Sequence, residues 1–244
     1  MISWIKKVMD LNQPPQSLQV DLSLGKKNNT RNDCNWAYPL QEEGMPKVDL
    51  KKIGSAITRK ENIYNVIAWL NVEESRRYSM QGKSTYCNIY AYDVVRCVGA
   101  YMPRVWWNEA SILKIKRGLR VPVKYAKTVL EMNCNSLAEW FLSFGSGFGW
   151  KQMPNVTEMQ AFANKGTIGI IVAQRHVLSE PGHITVVLPE TETIVAQRAR
   201  NEIICPVQSQ AGMKNIQCFT GYAWWQDAGK FGKYSFWIWD LETL

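Results

Sequence analysis

The chain has 244 residues, 46% of them hydrophobic and 20% charged, enough apolar material for one large folded domain and too much for a disordered or fibrous polymer. No apolar run approaches the ~20 residues that a membrane-spanning helix needs. A formal net charge of +8 suggests an anionic partner, but no helix-turn-helix, zinc-finger or RNA-binding aromatic signature accompanies it, which argues against nucleic acid.

Residues 1–58 mix polar and turn-forming residues and are expected to wrap the rest as an irregular extension, leaving 59–244 as one domain. Met1 to Pro15 carries Lys6 and Lys7 but no apolar core, so no secretory signal peptide is expected and the product stays in the cytoplasm unless a dedicated machine exports it. Ile63, Val66, Ile67 and Leu70 have helical spacing within a helix expected over 60–78, with the polar run Glu73 to Arg77 as its exposed end. A second helix follows: Cys87, Tyr90, Ala91, Val94, Val95 and Val98 recur at the spacing of one buried face, with Ser84 or Thr85 as cap. Pro103 ends that region. Trp106 and Trp107 suit either a substrate cleft or the core, their large apolar area favouring the core.

Residues 109–128 read as a basic insertion carrying Lys114, Lys116, Arg117, Arg120, Lys124 and Lys127. A short helix is expected from Asn135 to Phe144, ending at Gly145. Gly145 to Gly149 lacks the strand and Lys-Ser/Thr of a phosphate loop and reads as a turn. Val156 to Asn164 forms another helix with Thr157 as cap. Thereafter β-branched runs at 167–173, 182–188, 193–197, 203–208 and 234–239 predict an antiparallel sheet after the helices, hence an α+β fold.

The chemistry concentrates at Cys87. In the first turn of a helix its thiol meets unpaired backbone N–H groups and the positive end of the helix dipole, which favour the nucleophilic thiolate, and its own N–H is a candidate oxyanion donor. The other cysteines, at 34, 97, 134, 205 and 218, have no C-x-x-C spacing, so neither a metal nor an organic cofactor is implied, and Cys97 on the same helix reads as packing. Of the two histidines, His176 sits in a polar link, whereas His183 opens a β-rich run after Pro181-Gly182 and is the better-anchored base. A side-chain oxygen should orient its ring. Gln208, 25 residues beyond on an adjacent strand, is the first choice, Gln210 on the same strand face the alternate, and Asp93, placed on the polar side of the Cys87 helix, weaker.

Cys87-Asn88-x-Tyr90 followed far downstream by Gly182-His183-Ile184-x-Val186-Val187 resembles the NlpC-like and CHAP-like cysteine hydrolases of the papain fold, which cut bacterial cell wall. Asn133-Cys134-Asn135-Ser136-Leu137-Ala138-Glu139-Trp140-Phe141 and Ala163-Asn164-Lys165-Gly166 are similar to segments of wall amidases and endopeptidases, type VI secretion effectors among them; the resemblance spans about 80–212. It implies a papain-like fold, with the Cys-bearing helix packed on the sheet, and cleavage of peptidoglycan amide bonds by Cys87 and His183. Tyr86, Asn88, Trp106 and Trp107 are then the candidate substrate contacts. Export by a dedicated secretion system to the periplasm of a target cell, with an immunity protein as partner, follows from the same resemblance. A protease or deamidase toxin acting on a protein, and a wall-binding module without turnover, are the competing readings.

Overall fold

In the computed structural model the described residues are 18–22, 29–33 and 37–242. Cys34 and the first 17 residues, including the Met1 to Pro15 stretch, lie outside them. Five α-helices occur among the described residues: α1 (Ala56–Leu70), α2 (Cys87–Cys97), α3 (Glu109–Lys116), α4 (Cys134–Phe144) and α5 (Val156–Ala163). Ten strands occur among the same residues: β1 (Val105–Trp107), β2 (Val129–Glu131), β3 (Trp150–Met153), β4 (Gly169–Arg175), β5 (His183–Val187), β6 (Gln197–Ala199), β7 (Glu202–Cys205), β8 (Gln208–Gln210), β9 (Ile216–Phe219) and β10 (Phe231–Trp239). Six of them form one antiparallel sheet in the order β3-β10-β4-β5-β8-β9, and the fold is α+β.

The central strands are apolar on both sides because both sides are covered. Ile170 and Val172 of β4 and Ile184 and Val186 of β5 join α2 and α4 in the larger core, while Ile171, Ala173 and Val187 face α5, Trp224 and Trp225. α2 runs through this larger core with nine of its eleven residues buried. Its polar groups are therefore paired. Tyr90 Oη and Ser209 Oγ lie 2.6 Å apart, tying α2 to β8, and Tyr92 donates to Asp21 at 3.0 Å. Leu18, Val20, Leu22, Leu40 and Leu50 from the N-terminal stretches add to the same core.

Several expectations are corrected. α1 stops at Asn71, which adopts φ 45°, and Arg77, expected at an exposed end, is fully buried. Its Nε donates to Asp93 Oδ2 at 2.6 Å, so Asp93 also lies inside rather than on a polar face. Neither Ser84 nor Thr85 caps α2; Ser84 closes a turn with Gln81, and Tyr86 occupies the cap position without a side-chain capping bond to the helix. α5 is capped by Asn155, whose Oδ1 accepts from Glu158 N at 2.8 Å, while the Thr157 hydroxyl accepts from Ile203 N. The run at 193–197 is not a strand: β6 begins at Gln197, and Pro206 and Val207 separate β7 from β8 within 203–208. β3 and β9, short and half-polar, carry no strand pattern in the sequence. β10 is the last strand of the chain, as expected, and lies inside the sheet between β3 and β4.

Candidate functional site

The site lies where the start of α2 meets the start of β5. Cys87 is the first residue of α2, an end that carries no side-chain cap bond, and the Ile89 N–H of this turn closes onto the Tyr86 carbonyl at 3.1 Å. His183 is the first residue of β5, next to Ala173 of β4 in register. Its Nε2 lies 2.8 Å from Gln210 Oε1, so Nε2 carries the proton and donates to the amide oxygen. That leaves Nδ1 for Cys87, to which the ring is hydrogen-bonded. Trp224 packs edge-on against the ring with centroids 4.5 Å apart, fixing its plane.

The choice between the glutamines follows from register. Val186 pairs with Ser209 and Val187 with Gln208, which puts Gln210 beside Thr185 and within diagonal reach of His183. Gln208 lies two pairs further along, opposite Val187. Its Oε1 accepts from Thr185 Oγ1 and Trp224 Nε1, both at 2.9 Å, and its side chain is completely buried. Gln208 is therefore a structural group that supports Trp224, and Gln210 orients the histidine. Asp93 is committed to Arg77 and Tyr78.

His183 is also held from behind. Asn135, in the first turn of α4, donates through Nδ2 to the carbonyls of Leu178 and Glu180 at 3.0 and 2.9 Å and accepts from Arg175 N through Oδ1. One side chain thus ties the start of the 176–182 loop to its middle. Gly182 closes it: a Cβ there would lie 2.5 Å from the Ala173 carbonyl oxygen and 2.6 Å from Asn135 Oδ1. His176, on the same loop, turns to the Ala228 carbonyl at 3.0 Å.

A residue the sequence reading set aside completes the cluster. Cys134 is the first residue of α4, and its Sγ lies 3.4 Å from Cys87 Sγ. The Met132 carbonyl, which accepts from Asn88 Nδ2 at 2.8 Å and Arg104 Nη1 at 3.3 Å, ties the start of α4 to the start of α2. The shared position of both cysteines at helix starts was the available signal.

The thiols are not equivalent. The hydrogen bond from Cys134 pulls Cys87 well below the usual thiol range against the effect of burial, assisted by the His183 charge and hydrogen bond and by the Ile184 N–H. The same bond pushes Cys134 well above that range. For His183, burial opposes the proton, but the Cys87 charge and the bonds to Cys87 and Gln210 outweigh it and raise the ring above the usual histidine range. Both shifts run in the direction that favours a thiolate on Cys87 and a proton on His183.

The expected substrate contacts are corrected in part. Trp106 is 6% exposed and packs among Trp140, Phe144 and Phe148, and Trp107 donates Nε1 to the Leu18 carbonyl at 3.0 Å, so both belong to the core. Asn88 is spent on Met132. Tyr86 stays beside Cys87 at the cap of α2. A cavity of about 290 Å³, lined by Arg59, Lys151, Phe162, Lys165 and Trp239 among others, shares no residue with this cluster. Among the described residues no group of three or more His, Cys, Asp or Glu side chains is arranged to hold a metal, and no helix is long and apolar enough to cross a membrane.

No protein-family model matches the chain, and no curated protein matches it in sequence.

Proposed function

We propose that the protein is a cysteine hydrolase of amide bonds, with a papain-like arrangement of helix and sheet, acting on the peptide part of peptidoglycan. The observation that carries the chemistry is the chain of contacts from the Cys87 thiolate through His183 to Gln210. The Cys87 thiolate attacks the carbonyl carbon, and N–H groups of the first turn of α2 stabilise the oxyanion. His183 gives its Nδ1 proton to the leaving amine, then takes one from water as the thioester is hydrolysed. Gln210 keeps Nε2 protonated and the ring aimed. The choice of peptidoglycan as substrate rests on the resemblance of the Cys87 and His183 motifs, and export to a target periplasm rests on it too. Because Trp106 and Trp107 are committed to the core, sugar stacking by them lends no support, and a protein amide is the second reading.

Mass spectrometry of peptidoglycan after incubation with the protein tests the proposal. New muropeptides are expected from the intact chain, with Cys87→Ala and His183→Ala slower by at least about a thousandfold. Equal yields from folded Cys87→Ala would overturn the mechanism. No products from any form on several wall chemistries would move the substrate to a protein.

A further inference from the structure

We propose that Cys87 and Cys134 are an oxidation site, joined by a reversible disulfide when a peroxide reaches the thiolate. Their sulfurs, at 3.4 Å, are already in contact, whereas a disulfide needs ~2.05 Å, so they have to close by only about 1.4 Å. Both belong to the first turns of their helices, and both are 4% exposed. It is the one thiol–thiol contact among the described cysteines, all five of which are free. The pair is also functionally asymmetric, with His183 and the Ile184 N–H facing Cys87. One sulfur is therefore poised to attack, and the other, still protonated, to resolve.

The steps balance. The Cys87 thiolate attacks one oxygen of hydrogen peroxide, the O–O bond breaks, and Cys87 becomes a sulfenic acid while hydroxide leaves and is protonated to water. The Cys134 sulfur then attacks the sulfenic sulfur, the S–O bond breaks, and the departing hydroxide takes the Cys134 proton as a second water. Two thiols lose two electrons and peroxide gains them. The disulfide removes the nucleophile and protects it from sulfinic and sulfonic acids, and a dithiol restores it. This inference does not depend on the hydrolase reading, since it concerns only the two sulfurs.

The test is peptide mapping of the full chain after brief exposure to hydrogen peroxide, with free thiols blocked under denaturing conditions before digestion. The expected result is a cross-linked peptide pair joining Cys87 to Cys134, lighter by two hydrogens than the separate peptides, in most molecules, and lost on treatment with dithiothreitol. Cys97→Ser should leave it intact. In Cys134→Ser, Cys87 should pass to sulfinic acid at least about tenfold faster than in the unaltered chain. Sulfinic acid on Cys87 of the unaltered chain, without the cross-link, would overturn the proposal. That measurement needs no variant, so a Cys134→Ser chain that fails to fold leaves the decision with the unaltered protein.

Discussion

At the scale of single residues, the site depends on which amide meets the histidine. Gln210 Oε1 accepts from Nε2, and that bond helps raise His183, whose charge in turn helps lower Cys87. Because the thiolate form persists below the usual thiol range, alkylation of Cys87 by iodoacetamide should remain fast as the pH falls toward neutrality. Cys97, which burial pushes up to about 12, should be at least about tenfold slower at pH 7. Gln210→Ala should shift the Cys87 profile to higher pH and slow labelling at pH 7 by about tenfold. Gln208→Ala should leave the profile in place and instead cost about 1–3 kcal/mol of stability, since Thr185 and Trp224 lose their buried acceptor. If the two variants exchange these effects, the assignment is wrong. Sequence reasoning named Gln208 first and Gln210, on the same strand face, as the alternate, and it is the Gln210 oxygen that meets the ring. Alternation says that positions 208 and 210 share a face, but which one meets residue 183 depends on the β5–β8 register, set by the chain between them.

Secondary elements bring the site together at their starts. α2, α4 and β5 each present their first or second residue to the cluster: Cys87, Cys134 and Asn135, and His183. Gly182 is where β5 enters, and a methyl group there meets a carbonyl oxygen and the Asn135 amide oxygen, neither of which can yield without moving the loop. Gly182→Ala is expected to cost about 1–3 kcal/mol in a urea titration and to slow Cys87 labelling at pH 7, whereas Gly221→Ala, with open space around it, should do neither. Unchanged labelling in Gly182→Ala would show that the loop does not set the histidine. Helices with a clean apolar period were legible: α2 and α4 lie within a residue or two of the expected bounds. The N-cap of α2 was not, because capping depends on the backbone angle of one residue, and Tyr86 has no propensity for that position; the end of α4 at Gly145 was legible. The short strands β3 and β9 draw their stability from neighbours rather than from their own pattern.

On the scale of the molecule, one ion pair is sealed inside. Arg77 and Asp93 are fully buried, and Tyr78 also donates to Asp93 at 3.0 Å. Asp93→Ala strands a guanidinium in the core and should lower the unfolding free energy by about 3–5 kcal/mol. The double variant Arg77→Met with Asp93→Leu should recover most of that, as read from urea midpoints at constant slope. A single variant within about 0.5 kcal/mol of the original would mean the pair is open to water. The sequence concealed this pair because Asp93 and Arg77 each sit in a polar neighbourhood by pattern, and only the three-dimensional approach of the Arg76–Tyr78 turn to α2 makes them interior. Trp106 and Trp107 were ambiguous for the converse reason: an aromatic pair looks the same from sequence whether it faces a cleft or the core.

The place of β10 has a temporal consequence. It is the strand between β3 and β4, yet it spans residues 231–239, so the sheet that carries His183 cannot close until the ribosome has passed Trp239. The stretch from Cys87 to Trp239 (239 − 87) is 152 residues, about 8–30 s of synthesis at ~5–20 residues per second. During that interval the nascent chain carries the Cys87 sulfur without the finished scaffold that holds the imidazole beside it, so the thiol–imidazole pair is among the last features of the protein to be assembled. Pairings this distant in sequence also slow folding after release.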